Sequence, residues 1–300
     1  MKRLLLALAA AAFAASAFAA WTIAAPATKA KPSAKSALPP LPAAVKQRGR
    51  WVIGVKCDFP PFGYVTASGK HAGYDVEVAK QFARFAFGKA SRLSMTCVTT
   101  PSRIPTLQSK RVDIIISTLT YTKARAQVID YSIPYYGATG RLLVPNNSNI
   151  SKLSDMSGKT IATTRGSIYD RWLHNCFKNT NVLLTDTTSS SLLAVQDRRA
   201  AGFMFDDAFL VGVAANDPNT KLLGARFLDI PWGIGIRKGE TDMSRWVNSR
   251  LRLMKKRDQF WQIMRHTIPR RFYATFKDNV PRPRNTLKYP TGPDPETICR

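Results

Sequence analysis

Acidic residues are scarce in this sequence of 300 residues. Only 19 Asp and Glu accompany 45 Lys and Arg, so the formal net charge is +26 and the pI is about 10.4. Such a charge attracts anions, and nucleic acid is the first partner to consider. The basic residues are scattered along the chain, however, with clusters only at Lys255-Lys256-Arg257 and Arg270-Arg271. This distribution favours a solvated basic surface, and we predict no nucleic-acid partner.

Histidine and cysteine are also rare. The three histidines, His71, His174 and His266, have no spacing typical of metal ligands, and none of the four cysteines forms a C-x-x-C pair. Protein zinc sites usually show such close spacings. The sequence therefore predicts neither a metal site nor a cofactor.

Long apolar runs are absent beyond the first residues. Lys2 and Arg3 precede an uncharged run at residues 4–18, and Ala17 and Ala19 frame a small-residue cleavage site. The run is shorter than the about 20 strongly apolar residues that span a membrane. This pattern is typical of a cleaved signal peptide, which we place at residues 1–19, with a retained anchor as the alternative. Four cysteines in an exported chain predict disulfides, with three possible connectivities.

Composition changes twice more along the chain. Residues 20–50 are rich in Ala, Pro, Ser and Lys, and cannot bury enough apolar surface to order themselves. We predict a flexible linker there, followed by a folded part that opens at Trp51. About 250 residues remain, enough for one large or two medium domains. The tail from Arg270 is basic and rich in Pro, and we predict it on the surface.

Strand and helix patterns alternate in the folded part, which favours α/β with mostly parallel sheets. Short apolar strands are predicted at 51–55 and 112–116, and a helix with one apolar face at 74–87. A second unit begins after Gly140, with strands at 160–163, 182–185 and 202–205. The segments 140–144 and 232–236 can connect the two units.

Four short motifs then follow one another in order. They are Asp58-Phe59-Pro60-Pro61-Phe62-Gly63-Tyr64 after Ile53-Gly54-Val55; Gly73-Tyr74-Asp75-Val76-Glu77-Val78; Asp113-Ile114-Ile115 with Ser117-Thr118-Leu119-Thr120 and Arg125; and Val128-Ile129-Asp130-Tyr131-Ser132-Ile133-Pro134-Tyr135-Tyr136. Behind an export signal, this series resembles the periplasmic polar amino-acid-binding proteins of ABC importers (solute-binding protein family 3) over residues 51–266. The pattern is most similar to that of aspartate/glutamate-binding members.

The resemblance implies a two-lobed periplasmic-binding-protein fold of type II, with two mostly parallel sheets joined by two crossing strands. Lobe 1 is expected at 51–139 plus 233–300 and lobe 2 at 140–232. It also implies a periplasmic monomer that closes on an amino acid and delivers it to the membrane permease subunits of an ABC importer.

The resemblance places a carboxylate-binding arginine at Arg125, since a guanidinium grips a carboxylate bidentately and stays charged. Ser117, Thr118 and Thr120 match hydroxyl and backbone contacts at a strand end, where open α/β sheets bind ligands. The alternatives are an exposed helix arginine and ordinary turn or cap residues.

In lobe 2, Gly166 and Ser167 precede a helix and are expected to offer amides to the same carboxylate. Asp206 matches the acid that receives the ligand ammonium, although Asp207 beside it is an alternative register. Phe59 stands where the family has an aromatic wall, with a core aromatic as the alternative.

Two further cations favour an acidic ligand. Lys56 and Arg103 match the cluster that receives the side-chain carboxylate of aspartate or glutamate, and a buried carboxylate needs a paired charge. The alternative is that Lys56 or Arg103 points to solvent. Some acidic-amino-acid binders add a tyrosine from the second lobe, which Thr187-Thr188-Ser189 lacks. Glutamine or another polar amino acid is the alternative ligand.

An enzyme is the main rival class, because relatives with this pair of lobes include arogenate and prephenate dehydratases. Catalysis would need a positioned acid or base, and no surplus Glu or His stands at the predicted cleft. We therefore predict no enzymatic activity. A sensor or adhesive surface protein is a second rival.

The two expected disulfides follow from the predicted lobes. Cys57 and Cys97 lie at the same ends of two strands that should be neighbours, within bridging reach. Our hypothesis pairs them, which leaves Cys176 and Cys299 to tie the basic tail to lobe 2.

Overall fold

A computed structural model describes residues 38–299 of the chain. The predicted signal peptide, residues 1–19, and the greater part of the predicted linker lie outside the described residues. Within 38–299, no helix combines the length and the apolar character needed to cross a membrane.

Helices and short strands alternate along these residues. The strands are β1 (Trp51–Val55), β2 (Asp58–Phe59), β3 (Gly63–Val65), β4 (His71–Ala72), β5 (Leu93–Cys97), β6 (Ile114–Ile115), β7 (Ile129–Tyr131), β8 (Tyr136–Pro145), β9 (Thr160–Thr164), β10 (Asn181–Thr185), β11 (Gly202–Asp206), β12 (Thr220–Leu222), β13 (Phe227–Trp232) and β14 (Gly235–Arg237). The α-helices are α1 (Ala43–Arg48), α2 (Tyr74–Phe87), α3 (Arg103–Gln108), α4 (Lys123–Val128), α5 (Ile168–Cys176), α6 (Thr188–Gln196), α7 (Asp207–Asn216), α8 (Thr241–Lys256), α9 (Gln259–Thr267) and α10 (Tyr273–Phe276). Three 3₁₀ turns cover Leu153–Met156, Arg270–Phe272 and Pro295–Thr297.

Two sheets divide the molecule into two lobes. The sheet of lobe 1 has the order β5-β1-β6-β14-β7, with β1 parallel to β5 and β6, and β14 antiparallel to β6 and β7. The sheet of lobe 2 has the order β10-β9-β11-β8-β12, with β9 parallel to β10 and β11, and β8 antiparallel to its neighbours. The predicted two-lobed α/β fold is confirmed.

The crossing strands are β8 and β13, which pair antiparallel from Gly140 and Phe227 to Tyr136 and Trp232. They lie earlier than the predicted crossings at 140–144 and 232–236. The Tyr136 and Trp232 rings stack with centroids 4.4 Å apart, which extends the pairing to that point. We therefore define lobe 1 as residues 38–135 plus 233–299 and lobe 2 as residues 136–232.

The folded part begins before Trp51. Helix α1 lies inside the predicted linker, and its Val45 is fully buried in the core. The Arg48 guanidinium pairs with the Asp113 carboxylate, which also accepts a hydrogen bond from the Val52 amide. The prediction of a flexible linker is therefore wrong for residues 43–48, because one apolar contact and one ion pair hold them on lobe 1.

The C-terminal tail is packed rather than superficial. Phe272, Phe276 and Val280 are buried, so the prediction of a surface tail is wrong for them. Both hypothesised disulfides are present: Cys57–Cys97 joins the ends of β1 and β5 with Cα atoms 5.5 Å apart, and Cys176–Cys299 joins α5 to the tail with Cα atoms 5.0 Å apart. Each distance is ordinary for a disulfide.

Candidate functional site

The polar residues at the strand ends of the two lobes face one another. Segments that follow β6 in lobe 1 and β9 and β11 in lobe 2 line a small cavity of about 10 Å³. Its lining residues are Thr100, Arg103, Thr118, Thr120, Ser167, Ile168, Tyr169, Phe205 and Asp206. A cavity of that size holds about one water molecule, so a small organic molecule enters only if the lobes separate.

Arg125 lies beside this cavity and contacts both lobes. Thr122 caps α4 by accepting a hydrogen bond from the Arg125 amide at 3.1 Å. The guanidinium donates from Nη1 to the Thr120 carbonyl and from Nη2 to the Gly166 carbonyl of lobe 2, each at 2.8 Å. Arg125 is only 6% exposed, so the alternative of a solvent-exposed helix arginine does not describe it.

Arg103 is the second buried arginine at the site. Its Nη1 donates to the carbonyls of Ser117 at 2.9 Å and Thr118 at 3.1 Å. Burial lowers the pKa of Arg103 to about 9, and the nearby charge of Arg125 lowers it further. Arg103 therefore points into the protein and not to solvent.

Thr118 is held in an unusual conformation. Its φ of 48° lies in the left-handed region, which residues other than glycine rarely adopt. The Thr118 amide donates to Asp75 Oδ2 at 2.9 Å, while Tyr135 donates its hydroxyl to Asp75 Oδ1 at 3.1 Å. Burial raises the pKa of Asp75 to about 7. Strained residues of this kind concentrate at ligand sites, and here the conformation aims the Thr118 carbonyl at Arg103.

Lys56 is fully buried and already has a counterion. Its ammonium nitrogen lies 3.0 Å from Asp58 Oδ1 and donates to Thr100 Oγ1 at 3.3 Å. Burial lowers the pKa of Lys56, and the charge of Asp58 opposes that shift. Asp58 Oδ2 also accepts a hydrogen bond from the Thr188 amide of lobe 2 at 2.8 Å. Lys56 contacts the cavity only through Thr100, so it is one layer behind the lining.

Asp206 supplies the negative charge from lobe 2. It ends β11, is buried, and accepts a hydrogen bond from the Tyr169 hydroxyl at 2.8 Å. Burial raises the pKa of Asp206 to about 7, although Tyr169, Arg103 and Lys56 each favour the ionised form. Asp207 instead accepts hydrogen bonds from the Thr139 amide and the Asn279 side chain at the crossing strands. The structure thus places Asp206, and not Asp207, at the cavity.

The Gly166 and Ser167 amides are used locally. The Gly166 amide donates to Asp170 Oδ2 at 2.8 Å, and the Ser167 amide donates to the Thr164 carbonyl at 3.0 Å. Ser167 lines the cavity and caps α5 with its hydroxyl. In this arrangement, Gly166 offers Arg125 a carbonyl, where the sequence predicted amides directed at a carboxylate.

The remaining predicted residues divide between the lining and the core. Thr118 and Thr120 line the cavity, whereas Ser117 contributes its carbonyl to Arg103. The Phe59 ring is fully buried, with its centroid 5.8 Å from that of Phe205 and 5.3 Å from that of Phe209. Phe59 is therefore a core aromatic behind Phe205, which forms the lining.

Four lining residues were missed by the sequence analysis: Thr100, Ile168, Tyr169 and Phe205. Tyr169 and Ile168 directly follow Ser167 at the start of α5, and Phe205 directly precedes Asp206, so proximity to the predicted residues was the available signal. Tyr169 is a tyrosine from lobe 2, the residue type that was sought at 187–189.

The arrangement suits a small ion that carries charges of both signs. Arg103 and Arg125 are buried cations of lobe 1, and Asp206 is a buried acid of lobe 2. Because no histidine, glutamate or cysteine occurs among the residues that line the cavity, the lining itself offers Asp206 as its acid or base. Cys57, His71 and Cys97 cluster elsewhere, but the two cysteines form a disulfide and have no thiolate to offer a metal.

Comparison with known proteins gives consistent matches. The family model described as "Bacterial extracellular solute-binding proteins, family 3" matches residues 51–268. The chain is 30% identical over 228 residues to the ABC transporter glutamine-binding protein GlnH of Bacillus subtilis, covering 75% of this chain and 84% of that protein. It is 27% identical over 217 residues to the L-glutamate/L-aspartate-binding protein of Pseudomonas aeruginosa, covering 68% of this chain and 72% of that protein.

A solved structure agrees with these matches. The crystal structure of the solute receptors for L-cysteine of Neisseria gonorrhoeae matches with a TM-score of 0.75 and 28% identity, covering 78% of this chain and 95% of that chain. The three proteins share a binding role but differ in the amino acid that each name specifies.

Proposed function

This chain belongs to the bacterial extracellular solute-binding proteins of family 3, and we propose that it captures an acidic amino acid outside the cytoplasm for an ABC importer. The relatives reported above are amino-acid-binding proteins and not enzymes, which supports the class. Export by the signal peptide at residues 1–19 and delivery to membrane permease subunits belong to the same proposal.

The site supplies a partner for each group that all amino acids share. Arg125 is suited to the α-carboxylate, because its guanidinium is buried and reaches both lobes. Asp206 is suited to the ammonium, since a buried carboxylate is stabilised by a nearby cation. A ligand held by both joins lobe 1 to lobe 2, which is the basis of hinge closure.

Arg103 carries the choice of an acidic ligand. It is a buried cation that lines the cavity, and none of the ion pairs among the described residues includes it. Uncompensated buried charge is costly, so a second ligand carboxylate would stabilise the site. Lys56 contributes less to this choice than the sequence predicted, because Asp58 already neutralises it.

Glutamine is the second candidate. The Bacillus subtilis relative is a glutamine-binding protein and has a higher identity than the glutamate/aspartate-binding relative. The neutralised Lys56 also removes one reason to exclude a neutral side chain. The two candidates differ in whether Arg103 faces a carboxylate or an amide.

Calorimetric titration of Arg103→Met with glutamate and with glutamine tests the choice. Loss of one partner of a buried charge pair costs about 2–5 kcal/mol, so we expect glutamate affinity to fall from about 30-fold to several thousandfold. Glutamine affinity should change by about threefold or less. Lys56→Ala should lower glutamate affinity by a smaller factor.

Arg250→Met is the matched control. Arg250 is another buried arginine of lobe 1, but its guanidinium stacks on Trp246 in α8, so both affinities should stay near those of the wild type. A wild type that prefers glutamine, or an Arg103→Met variant with an unchanged glutamate-to-glutamine ratio, would show that the ligand is not selected by a second carboxylate.

A further inference from the structure

The last residues of the chain connect the two lobes beyond the region that matches the family. We call residues 277–299 the strap. The family match ends at residue 268, whereas the strap continues from α10 along lobe 1 and ends on α5 of lobe 2. Its contacts therefore need an explanation of their own.

The first half of the strap is fixed on lobe 1. Arg282 forms a two-pronged ion pair with Asp258 at 2.6 and 2.9 Å. The Tyr289 ring stacks on Tyr121 with centroids 4.2 Å apart, and its hydroxyl donates to the Ser132 carbonyl at 2.7 Å. These contacts bring the chain to the segment that precedes α4.

Asp294 binds the beginning of α4 directly. Its carboxylate oxygens accept hydrogen bonds from the Lys123 amide at 2.6 Å and the Ala124 amide at 3.2 Å. The first amides of a helix have no partner within the helix, and a carboxylate there is stabilising. The next residue of α4 is Arg125. Asp294 thus fixes the short helix that carries the arginine proposed for the ligand carboxylate.

The end of the strap is fixed on α5 of lobe 2. The Asn175 side chain donates to the Glu296 carbonyl at 3.0 Å, and Trp172 Nε1 donates to the Ile298 carbonyl at 2.9 Å. Cys299 completes the attachment through its disulfide with Cys176. Helix α5 begins immediately after Ser167, a residue of the cavity lining.

A buried acid lies between the two attachments. The Glu296 side chain is 4% exposed, and its Oε1 lies 3.6 Å from Nη1 of Arg171 on α5. Its Oε2 is buried and has no hydrogen-bond partner among residues 38–299. Burial raises the pKa of Glu296, while the charges of Arg125 and Arg171 oppose that shift. The acid thus lies within the field of one arginine from each lobe.

We propose that the strap is part of the binding machinery: Asp294 is a positioning residue for Arg125, and the Cys176–Cys299 disulfide makes the strap a tether that limits how far α4 and α5 separate. This rests on the proposed function in that Arg125 receives the ligand carboxylate. Five residues separate Asp294 from Cys299, and a chain of that length extends over at most about 17 Å. While Asp294 stays on α4, the lobes open only within that reach, and ligand escapes slowly.

The experiment compares Cys176→Ser/Cys299→Ser and Asp294→Ala with the wild type in two measurements. Small-angle scattering of the full mature protein without amino acid reports the opening, and stopped-flow release of glutamate reports escape. We expect a larger radius of gyration in both variants and a dissociation rate about 3- to 10-fold higher. Asp294→Asn, which keeps an acceptor for one amide, should restore most of the slow release.

Asp278→Ala is the control, because Asp278 is an exposed acid of the same strap and the substitution removes the same charge. It should leave both measurements unchanged. Scattering curves that coincide with the wild type, together with dissociation rates within about twofold, would overturn the tether. If the wild type bound neither glutamate nor glutamine, the proposed function would fail by itself, and the scattering comparison would still decide whether the strap limits opening.

Discussion

The two lobes differ sharply in charge. Lobe 1 contains 29 Lys and Arg against 11 Asp and Glu, a net charge of +18, whereas lobe 2 contains 10 against 8, a net charge of +2. The site has the same polarity: lobe 1 contributes Arg103 and Arg125, and lobe 2 contributes Asp206. Closure therefore brings a cationic half against a nearly neutral half that carries one buried acid. An amino acid fits this division, because its carboxylate and ammonium can each bind the lobe of opposite charge.

Removing Arg125 should break the comparison most severely. Arg125→Ala deletes the partner of the α-carboxylate, which all amino acids have, so the loss should apply to glutamate and glutamine alike. The expected loss is about 2–5 kcal/mol, from about 30-fold to several thousandfold in affinity. Calorimetry with both ligands measures it, and thermal unfolding checks that the variant is folded. Retention of glutamine binding would assign the α-carboxylate to another residue.

The acid of lobe 2 should make binding depend on pH. Burial raises the pKa of Asp206 to about 7, and the ligand ammonium needs the ionised form. As pH falls through about 7, the carboxyl becomes protonated, so affinity should weaken by up to about tenfold for each pH unit below that value. Titrations in buffers of different ionisation enthalpy should detect proton release on binding near pH 6.5. Asp206→Asn should bind weakly and release no proton, and proton release that persists in this variant would point to Asp75 instead.

The smallest expected effect concerns how fast ligand arrives. A cationic lobe 1 attracts an anion over a distance that salt shortens, since the screening length falls from about 10 Å at 0.1 M to about 3 Å at 1 M salt. The association rate of glutamate should therefore fall several-fold over this range, while that of neutral glutamine should change little. Stopped-flow fluorescence measures both. An equal salt dependence would mean that the charge of lobe 1 does not guide the ligand.

The sequence predicted the framework because its signals are local or follow from one sheet. Helix α4 and strand β1 have the predicted bounds, and both disulfides join the predicted cysteines. Five predicted residues line the cavity: Arg103, Thr118, Thr120, Ser167 and Asp206. Their positions at strand ends are readable because parallel strands place those ends at one edge.

The missed features depend on contacts between distant segments. Val45 is a lone apolar residue in an Ala- and Pro-rich stretch, and only docking on lobe 1 reveals its burial. Tyr169 becomes a site residue through its hydrogen bond to Asp206, 37 positions away. The role of Asp294 requires a helix more than 160 residues earlier. No periodicity or motif encodes these pairings, so they follow only from the folded structure.

The Asp58 carboxylate acts as a resident substitute for an incoming one. It lies on Lys56 of lobe 1 and accepts the Thr188 amide of lobe 2, so it joins the lobes as a bound anion would. Because Asp58 is covalently part of the chain, it competes for Lys56 at a high effective concentration. A ligand carboxylate that displaced it would also release Thr188 and loosen the closure. Capture and opening would then oppose each other at Lys56, which leaves Arg103 as the position where selectivity and closure can improve together.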